Sequence, residues 1–263
     1  HGHIREMFPA PFSHNSKVHE YGGSAYTVAD NHLYFVNAND QCIYRVALDQ
    51  ETEPEAISQQ GPWRFADIIF DGAHRRLIMV CEEHRQQGEP ENYLASLVID
   101  GSDQVPTRLV DGADFYAYPR LSADQKTLCW IQWNHPQMPW DATQLWIANN
   151  QQLALTEHRL IAGQDCNEAI FQPQWSPDNQ LYFVSDRNNW WNIYRFNEAG
   201  DESIYALDAE FATPLWQLGM STYCFISEST IGCVWSQNGL WHSGLYDLNT
   251  KSMASVISEH STF

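Results

Sequence analysis

The chain contains the segment Asn31-His-Leu-Tyr-Phe-Val36 followed by Ile43-Tyr-Arg-Val46, and it repeats this pattern as Asn179-Gln-Leu-Tyr-Phe-Val184 followed by Ile193-Tyr-Arg-Phe196. Weaker copies of the first half are Arg76-Leu-Ile-Met-Val80, Thr127-Leu-Cys-Trp-Ile131 and Thr230-Ile-Gly-Cys-Val234. The copies recur at a period of roughly 45–55 residues, which is typical of propeller blades. The pattern therefore predicts a repeat protein built from β-strands.

The sequence pattern of each repeat predicts four consecutive strands joined by tight turns. The apolar segment quoted above is the second strand, and the fourth is short and polar, as expected of an exposed edge. We predict blades over residues 24–60, 65–111, 117–162, 172–208 and 222–258. The predicted fold class is all-β: a single β-propeller domain, residues 1–263, with about five four-stranded antiparallel blades. A β-sandwich also has short strands and frequent turns, but it does not predict a motif that recurs at the blade spacing.

The charge of the chain argues against two classes of partner. There are 33 acidic and 14 basic residues, a formal net charge of −19, and the charges are dispersed along the sequence. Nucleic acids and anionic membranes are bound by cationic surfaces, so we expect neither as a partner. No apolar run approaches the roughly 18 residues of a membrane-spanning helix. We expect a cytoplasmic location.

The six cysteines are interpreted as thiols and not as a disulfide framework. None belongs to a Cys-x-x-Cys pair, and Cys81, Cys129 and Cys233 fall inside apolar strand cores. A buried thiol behaves as a small hydrophobic group. The alternative, a set of disulfides, is allowed by the even number of cysteines.

Several stretches resemble one protein family. They are Val18-His-Glu-Tyr-Gly-Gly23, Tyr118-Pro-Arg-Leu-Ser-Ala-Asp124, Trp133-Asn-His-Pro-Gln-Met-Pro-Trp-Asp141, Gln174-Trp-Ser-Pro-Asp178 with Leu181-Tyr-Phe-Val-Ser-Asp-Arg187 and Trp190-Trp-Asn-Ile-Tyr194, and Pro214-Leu-Trp216 with Met220-Ser-Thr-Tyr223. They look like the N-terminal propeller of prolyl oligopeptidase family serine peptidases, in the acylaminoacyl peptidase or dipeptidyl aminopeptidase branch. The resemblance covers nearly the whole chain.

The resemblance implies a peptidase parent. In that family the propeller caps an α/β-hydrolase domain with a Ser-Asp-His triad and filters the peptides that reach it, so that domain and a peptide substrate are the partners implied. Family propellers have seven blades, so residues 1–18 look like the end of a preceding blade and the chain looks like a truncated ring. The chain itself has no Gly-x-Ser-x-Gly elbow, because Gly22-Gly-Ser-Ala-Tyr26 and Gly219-Met-Ser-Thr-Tyr223 both lack the last glycine. We predict no catalytic residue in it.

Five residues are predicted to bind substrate: Glu20, Tyr21, Arg120, Trp140 and Asp141. Glu20 beside a glycine pair could hold a peptide ammonium, and Arg120 a substrate carboxylate or an interdomain Asp. Trp140, with Trp190, Trp191 and Trp216, could line an apolar mouth. Structural roles remain open for all of them, as hydrogen bonds between blades, ion pairs or blade packing. We expect these groups to point toward one end of the propeller channel or the adjoining interdomain face.

No cofactor and no metal site is predicted. His19-Glu20 lacks the second histidine of a zinc motif, and a glycine pair follows where a helix would be required. Glu82-Glu83-His84-Arg85 is interpreted as part of a solvated blade loop. Two functions remain open: the accessory propeller of a serine peptidase, and a stand-alone TolB-like propeller that binds a protein partner.

Overall fold

The computed structural model describes residues 5–100, 104–165 and 167–256, and these residues form five four-stranded sheets. Each sheet is built from four strands that are consecutive in sequence and antiparallel, as a propeller blade is. The first strands are β1 (Tyr26–Ala29), β5 (Trp63–Asp71), β9 (Phe115–Leu121), β13 (Ile170–Trp175) and β17 (Tyr223–Ser227). The second strands are β2 (His32–Val36), β6 (Arg76–Glu83), β10 (Thr127–Trp133), β14 (Leu181–Ser185) and β18 (Thr230–Gln237).

The remaining strands complete the five sheets. The third strands are β3 (Ile43–Ala47), β7 (Glu91–Val98), β11 (Gln144–Asn149), β15 (Asn192–Arg195) and β19 (Leu240–Asp247). The outer strands are β4 (Glu55–Ala56), β8 (Thr107–Val110), β12 (Thr156–Ala162), β16 (Glu202–Ser203) and β20 (Ser252–Ser255). The all-β class and the five four-stranded antiparallel blades are confirmed, while the single domain stays a prediction. Residues 1–4 and 257–263, at the ends of the predicted domain, lie outside the described residues.

The chain divides into two compact units. The first unit contains the described residues up to Pro119, together with Gln151–Thr156 and Trp216–Gly219. The second contains Arg120–Asn150, Glu157–Leu215 and the described residues from Met220 onward. The described residues contain no helix, so none that is long and apolar enough to cross a membrane.

The first unit has a hydrophobic core between its first two sheets. Successive side chains of a strand point to opposite faces, so alternate residues share a face. Tyr34 and Val36 of β2 accordingly pack in one buried cluster with Leu77, Met79 and Cys81 of β6. This packing fixes the register of both sheets, because a slip by one residue would turn these side chains to the other face.

The second unit is held partly by aromatic contacts with the strands of its last sheet. Tyr182 of β14 meets Phe225 of β17 edge to face, with ring centroids 5.0 Å apart. Phe211, in the segment before β17, stacks on Trp235 of β18 at 5.5 Å. Such pairs add about 0.5–1.5 kcal/mol each beyond the burial of their area.

Asp67 lies in a β-bulge of β5, in the first unit. The register of β5 against β6 shifts between Ala66 and Ile69, and Asp67 has a left-handed φ of 52°. Its N–H donates to the carbonyl of Ser24 at 2.9 Å, and its buried carboxylate accepts the N–H of Tyr118 at 2.8 Å. A bulge re-aims a side chain. One residue thus connects the first strand of the second sheet to its neighbours.

Gln172 links two neighbouring sheets in the second unit, as Asp67 does in the first. It lies in a bulge of β13, where the register against β14 shifts between Phe171 and Gln174, and its φ is 46°. Its Oε1 accepts the N–H of Thr222 at 2.7 Å, and its Nε2 donates to the carbonyl of Tyr223 at 2.6 Å. The Tyr223 hydroxyl donates back to the Gln172 carbonyl at 2.9 Å. These bonds fasten β13 to the first strand of the last sheet.

The described cysteines carry free thiols. Cys42, Cys81, Cys129 and Cys233 are buried and Cys224 is exposed. Burial raises the pKa of the Cys81, Cys129 and Cys233 thiols to about 12. These thiols are therefore uncharged and act as small hydrophobic groups, as the sequence predicts.

Candidate functional site

The loop that carries Glu20 and Tyr21 has a shape set by two glycines. His19 and Glu20 have left-handed φ values of 51° and 63°, and Gly22 and Gly23 follow with 66° and 100°. A Cβ at Gly22 would lie 2.1 Å from the carbonyl oxygen of Ser16, and one at Gly23 would lie 2.2 Å from that of Leu218. Only glycine allows so close an approach of one backbone to another. The glycine pair noted in the sequence is thus needed to place the two residues before it.

Glu20 belongs to a charged cluster with Arg64 of β5 and Glu82 of β6. The Arg64 Nη1 lies 2.5 Å from the Glu20 Oε1 and 3.4 Å from the Glu82 Oε1, and it also donates to the Lys17 carbonyl at 2.9 Å. Arg64 and Glu82 face each other in the register of β5 and β6. Two carboxylates thus share one guanidinium, and Lys17 lies close enough to act on Glu20 as a further positive charge.

The two carboxylates of the cluster differ in exposure. The Glu82 side chain is 6% exposed, whereas that of Glu20 is 76% exposed. Hydrogen bonding to Arg64 lowers the pKa of Glu20, which therefore stays ionised. Glu82 also accepts the N–H of His19 at 2.7 Å and contacts the His84 Nε2. Arg64 and Glu82 thus form the less exposed part of the cluster, and the carboxylate of Glu20 is exposed to solvent.

The interpretation of Glu82 and Glu83 as part of a solvated loop is wrong. Both residues lie in β6, and Glu82 is buried. The physical reason is its cross-strand partner Arg64, since a carboxylate can be buried when it is paired and hydrogen-bonded. His84 and Arg85 follow the strand.

His19 anchors the loop. Its ring nitrogen Nε2 lies 3.2 Å from the Asn92 Oδ1, and its ring meets Phe115 edge to face at 5.3 Å. Burial lowers the pKa of His19, and the charge of Glu82 and the hydrogen bond with Asn92 oppose that shift. Near neutral pH the imidazole is therefore uncharged, and it packs the loop against β7 and β9.

Tyr21 lies against Trp216, and the two rings form what we call the aromatic platform. Their centroids are 5.7 Å apart and their planes are tilted by 58°. Tyr21 is 59% exposed and Trp216 is 52% exposed. The backbone fixes the two segments to each other: the Leu218 N–H donates to the Gly22 carbonyl at 3.0 Å, and Leu218 also forms a parallel bridge with Gly23.

Arg120 lies in the second unit, on β9. It is half-buried, and its carbonyl accepts the indole N–H of Trp175 at 3.0 Å. Its positive charge opposes the effect of burial on the pKa of the Cys129 thiol. Its backbone thus helps to hold β13, whereas its predicted contact with substrate remains a prediction.

Trp140 and Asp141 form part of a turn in the second unit, between β10 and β11. The Asp141 Oδ2 accepts the N–H of Met138 at 3.0 Å, and the Asp141 N–H donates to the Met138 carbonyl at 2.9 Å. Asp141 is exposed and Trp140 is half-buried. These bonds show that Asp141 stabilises the turn, and its binding of substrate stays a prediction.

The structure adds three residues to the site that the sequence did not connect with Glu20 and Tyr21. Arg64 and Glu82 complete the charged cluster, and Trp216 completes the aromatic platform. Strand register could have paired Arg64 with Glu82, but no sequence signal joins Tyr21 to Trp216. Among the described residues, no group of three or more His, Cys, Asp or Glu side chains could hold a metal ion.

The fold is shared with known peptidases. The chain is similar to a Mycobacterium tuberculosis puromycin-hydrolyzing peptidase, with 29% sequence identity and a TM-score of 0.90 over 98% of this chain and 42% of that chain. It is also similar to a puromycin hydrolase, with 27% identity and a TM-score of 0.87 over 96% of this chain and 41% of the other. The chain thus spans about two fifths of the length of these proteins.

A solved structure of lower sequence identity shows likeness of fold alone. TolB from Acinetobacter baumannii matches 81% of this chain with 15% identity and a TM-score of 0.52. No protein-family model and no curated protein sequence matches the chain. The five sheets and the peptidase neighbours define the class, a β-propeller of the kind found in peptidases. These neighbours confirm the resemblance of the chain to the N-terminal propeller of a prolyl oligopeptidase family peptidase.

Proposed function

We propose that this chain is the non-catalytic propeller of a serine peptidase, and that it selects the peptides that reach an α/β-hydrolase domain of the same parent chain. The observation that carries the proposal is the similarity over nearly the whole chain to two enzymes that are more than twice as long. The missing nucleophile elbow supports it, because acyl transfer by this family's chemistry needs a Ser on such a turn. The parent activity would be hydrolysis of an acylaminoacyl or aminoacyl bond.

In this proposal Glu20 binds the ammonium group of the substrate. Its carboxylate is ionised and exposed, and the ion pair with Arg64 holds it in place. A charge-assisted hydrogen bond is about twice as strong as a neutral one. Tyr21 is proposed to contact the rest of the aminoacyl group. For Arg120, Trp140 and Asp141, which belong to the second unit, binding of substrate stays a prediction.

The two similar enzymes suggest a substrate to test on the full-length peptidase to which this chain is proposed to belong. The two similar enzymes are described as acting on puromycin. We therefore propose puromycin as the first compound to test on the parent enzyme. The alternative function, a stand-alone TolB-like binding propeller, is supported by likeness of fold alone.

Hydrolysis assays with the purified chain and with the full-length parent enzyme test the proposal. The 263-residue chain should hydrolyse neither puromycin nor an aminoacyl or acylaminoacyl p-nitroanilide, because it lacks nucleophile, base and oxyanion hole. The parent gene should continue into a Gly-x-Ser-x-Gly segment followed by Asp and His, and its product should hydrolyse at least one of these substrates. Turnover by the purified chain that a serine-directed phosphonate blocks would contradict the proposal, and so would a parent gene without the elbow.

A further inference from the structure

We propose that the aromatic platform, Tyr21 with Trp216, binds an aromatic side chain of the substrate's aminoacyl group. This inference rests on the proposed function, because it adds a second contact to a substrate whose ammonium meets Glu20. The platform would make the parent enzyme prefer aromatic over aliphatic residues at that position of the substrate.

The first argument is that the rings are not needed to hold the two segments together. The backbone bonds of Leu218 with Gly22 and Gly23 already do so, and the Gln217 side chain donates to the Tyr21 carbonyl at 3.3 Å. Both rings keep more than half of their surface exposed, so they bury little area on each other. Two large exposed aromatic groups side by side, on a fixed backbone, are typical of a binding surface.

The second argument is the geometry of the rings. Aromatic pairs prefer offset or edge-to-face arrangements with centroids 4.5–7 Å apart. The two rings lie in that range and are tilted by 58°, so their exposed faces form an angled surface. A third ring can meet one of them face to face and the other edge to face. An aliphatic side chain gains only the burial of area there.

The third argument is the charge beside the platform. Glu20 and Tyr21 are consecutive residues, so their Cα atoms are about 3.8 Å apart. An aminoacyl group likewise carries its ammonium and its side chain on one Cα atom. The ionised and exposed carboxylate of Glu20 therefore favours an occupant that brings a cation together with its ring, which a free aromatic aminoacyl group does.

Binding to the isolated chain tests the inference with three probes. L-phenylalaninamide, L-leucinamide and N-acetyl-L-phenylalaninamide are titrated into ¹⁵N-labelled chain while the indole N–H signal of Trp216 is followed by NMR. The signal is assigned by its loss in the Trp216→Leu variant. L-phenylalaninamide should shift this signal with an apparent Kd about fivefold lower than that of L-leucinamide, the order of magnitude of one aromatic contact.

Variants separate the platform from the rest of the surface. Tyr21→Leu should abolish the preference for the aromatic amide, whereas Trp241→Leu should keep it. Trp241 is the matched control, because it is an exposed tryptophan (46%) on β19. An equal Kd for the two amides, no shift of the Trp216 signal, or equal losses in both variants would each overturn the inference.

The acetylated probe keeps the two proposals distinguishable. If it binds as tightly as L-phenylalaninamide while the aromatic preference persists, the role of Glu20 fails and the platform stands. If the free amides bind more tightly than the acetylated one but show no aromatic preference, the platform fails and the role of Glu20 stands.

Discussion

Gln172 and Thr222 are joined across two sheets by a hydrogen bond of 2.7 Å from the Thr222 N–H to the Gln172 Oε1. Gln172 lies in a β-bulge and has a left-handed φ, and a bulge of this kind re-aims a side chain, here toward Thr222. Asp67 makes the corresponding bond to Tyr118 in the first unit. The repeat visible in the sequence therefore also repeats a polar link between consecutive first strands, made with different residues.

Removing the Gln172 amide should destabilise the protein strongly. Gln172 is buried, and Gln172→Leu would take away the acceptor of the Thr222 N–H and a donor to the Tyr223 carbonyl. We expect a loss of about 2–4 kcal/mol in the free energy of unfolding, measured by urea denaturation. Gln237→Leu is the control, because its amide makes one exposed bond of 3.3 Å to Asp208, and it should cost under about 0.5 kcal/mol. Similar losses for both variants would contradict this role.

Asp67 should tolerate asparagine but not alanine. Asparagine keeps an acceptor for the Tyr118 N–H and adopts positive φ more readily than most residues, whereas alanine does neither. We expect Asp67→Asn to cost less than about 1 kcal/mol in the free energy of unfolding and Asp67→Ala about 2–4 kcal/mol. If asparagine were as harmful as alanine, the negative charge of Asp67 and not its acceptor would be the important feature.

Stability should fall as the pH drops below the ordinary histidine pKa of 6.5, in part because of His19. Burial lowers the folded pKa of His19, so in that pH range the unfolded state binds more protons than the folded state. The stabilisation is fully present above pH 6.5 and is lost as the pH falls toward the folded pKa. The free energies of unfolding of wild type and His19→Gln at pH 7.5, 6.5 and 5.5 provide the measurement.

The wild type should lose more stability than His19→Gln over this range. Glu82 and Asn92 face the imidazole and oppose the shift, so the difference between the two proteins reports the net effect. Carboxyl groups with lowered pKa values, such as Glu20, titrate at lower pH and add little to the slope above pH 5.5. Equal slopes for the two proteins would show that His19 does not contribute.

The strands could be predicted from the sequence because each carries its own pattern. Asn31–Val36 and Asn179–Val184 each carry a continuous apolar run, as a strand buried on both faces does, and turn residues separate the copies. The bulges could not be predicted, because Asp67 and Gln172 are not glycines and nothing local marks their positive φ. Such positions are fixed by bonds to a neighbouring sheet, which lie some 50 residues away in sequence.

Residues of the candidate site could be predicted from the sequence only where they belong to a short motif. Glu20 and Tyr21 were found beside the glycine pair, but Glu82 was misplaced because its partner Arg64 lies on another strand. Trp216 was noted as an aromatic of a possible mouth, yet its contact with Tyr21 joins segments almost 200 residues apart. Long-range contacts of this kind come from the packing of the sheets and not from local spacing.

Kinetics of the full-length parent enzyme test the central claim most directly. The substrates are alanine p-nitroanilide and its N-acetyl derivative, which differ in terminal charge, and the variants are Glu20→Gln and, as a control, Glu228→Gln at an exposed site. Glu20→Gln should lower kcat/KM for the free amine about tenfold, mainly through KM, and leave the acetylated substrate unchanged. Arg120→Ala should act in the same selective way on peptides with a free carboxylate. Equal losses for every substrate, tracking a lowered Tm, would show that these residues hold the blades together and do not select what enters.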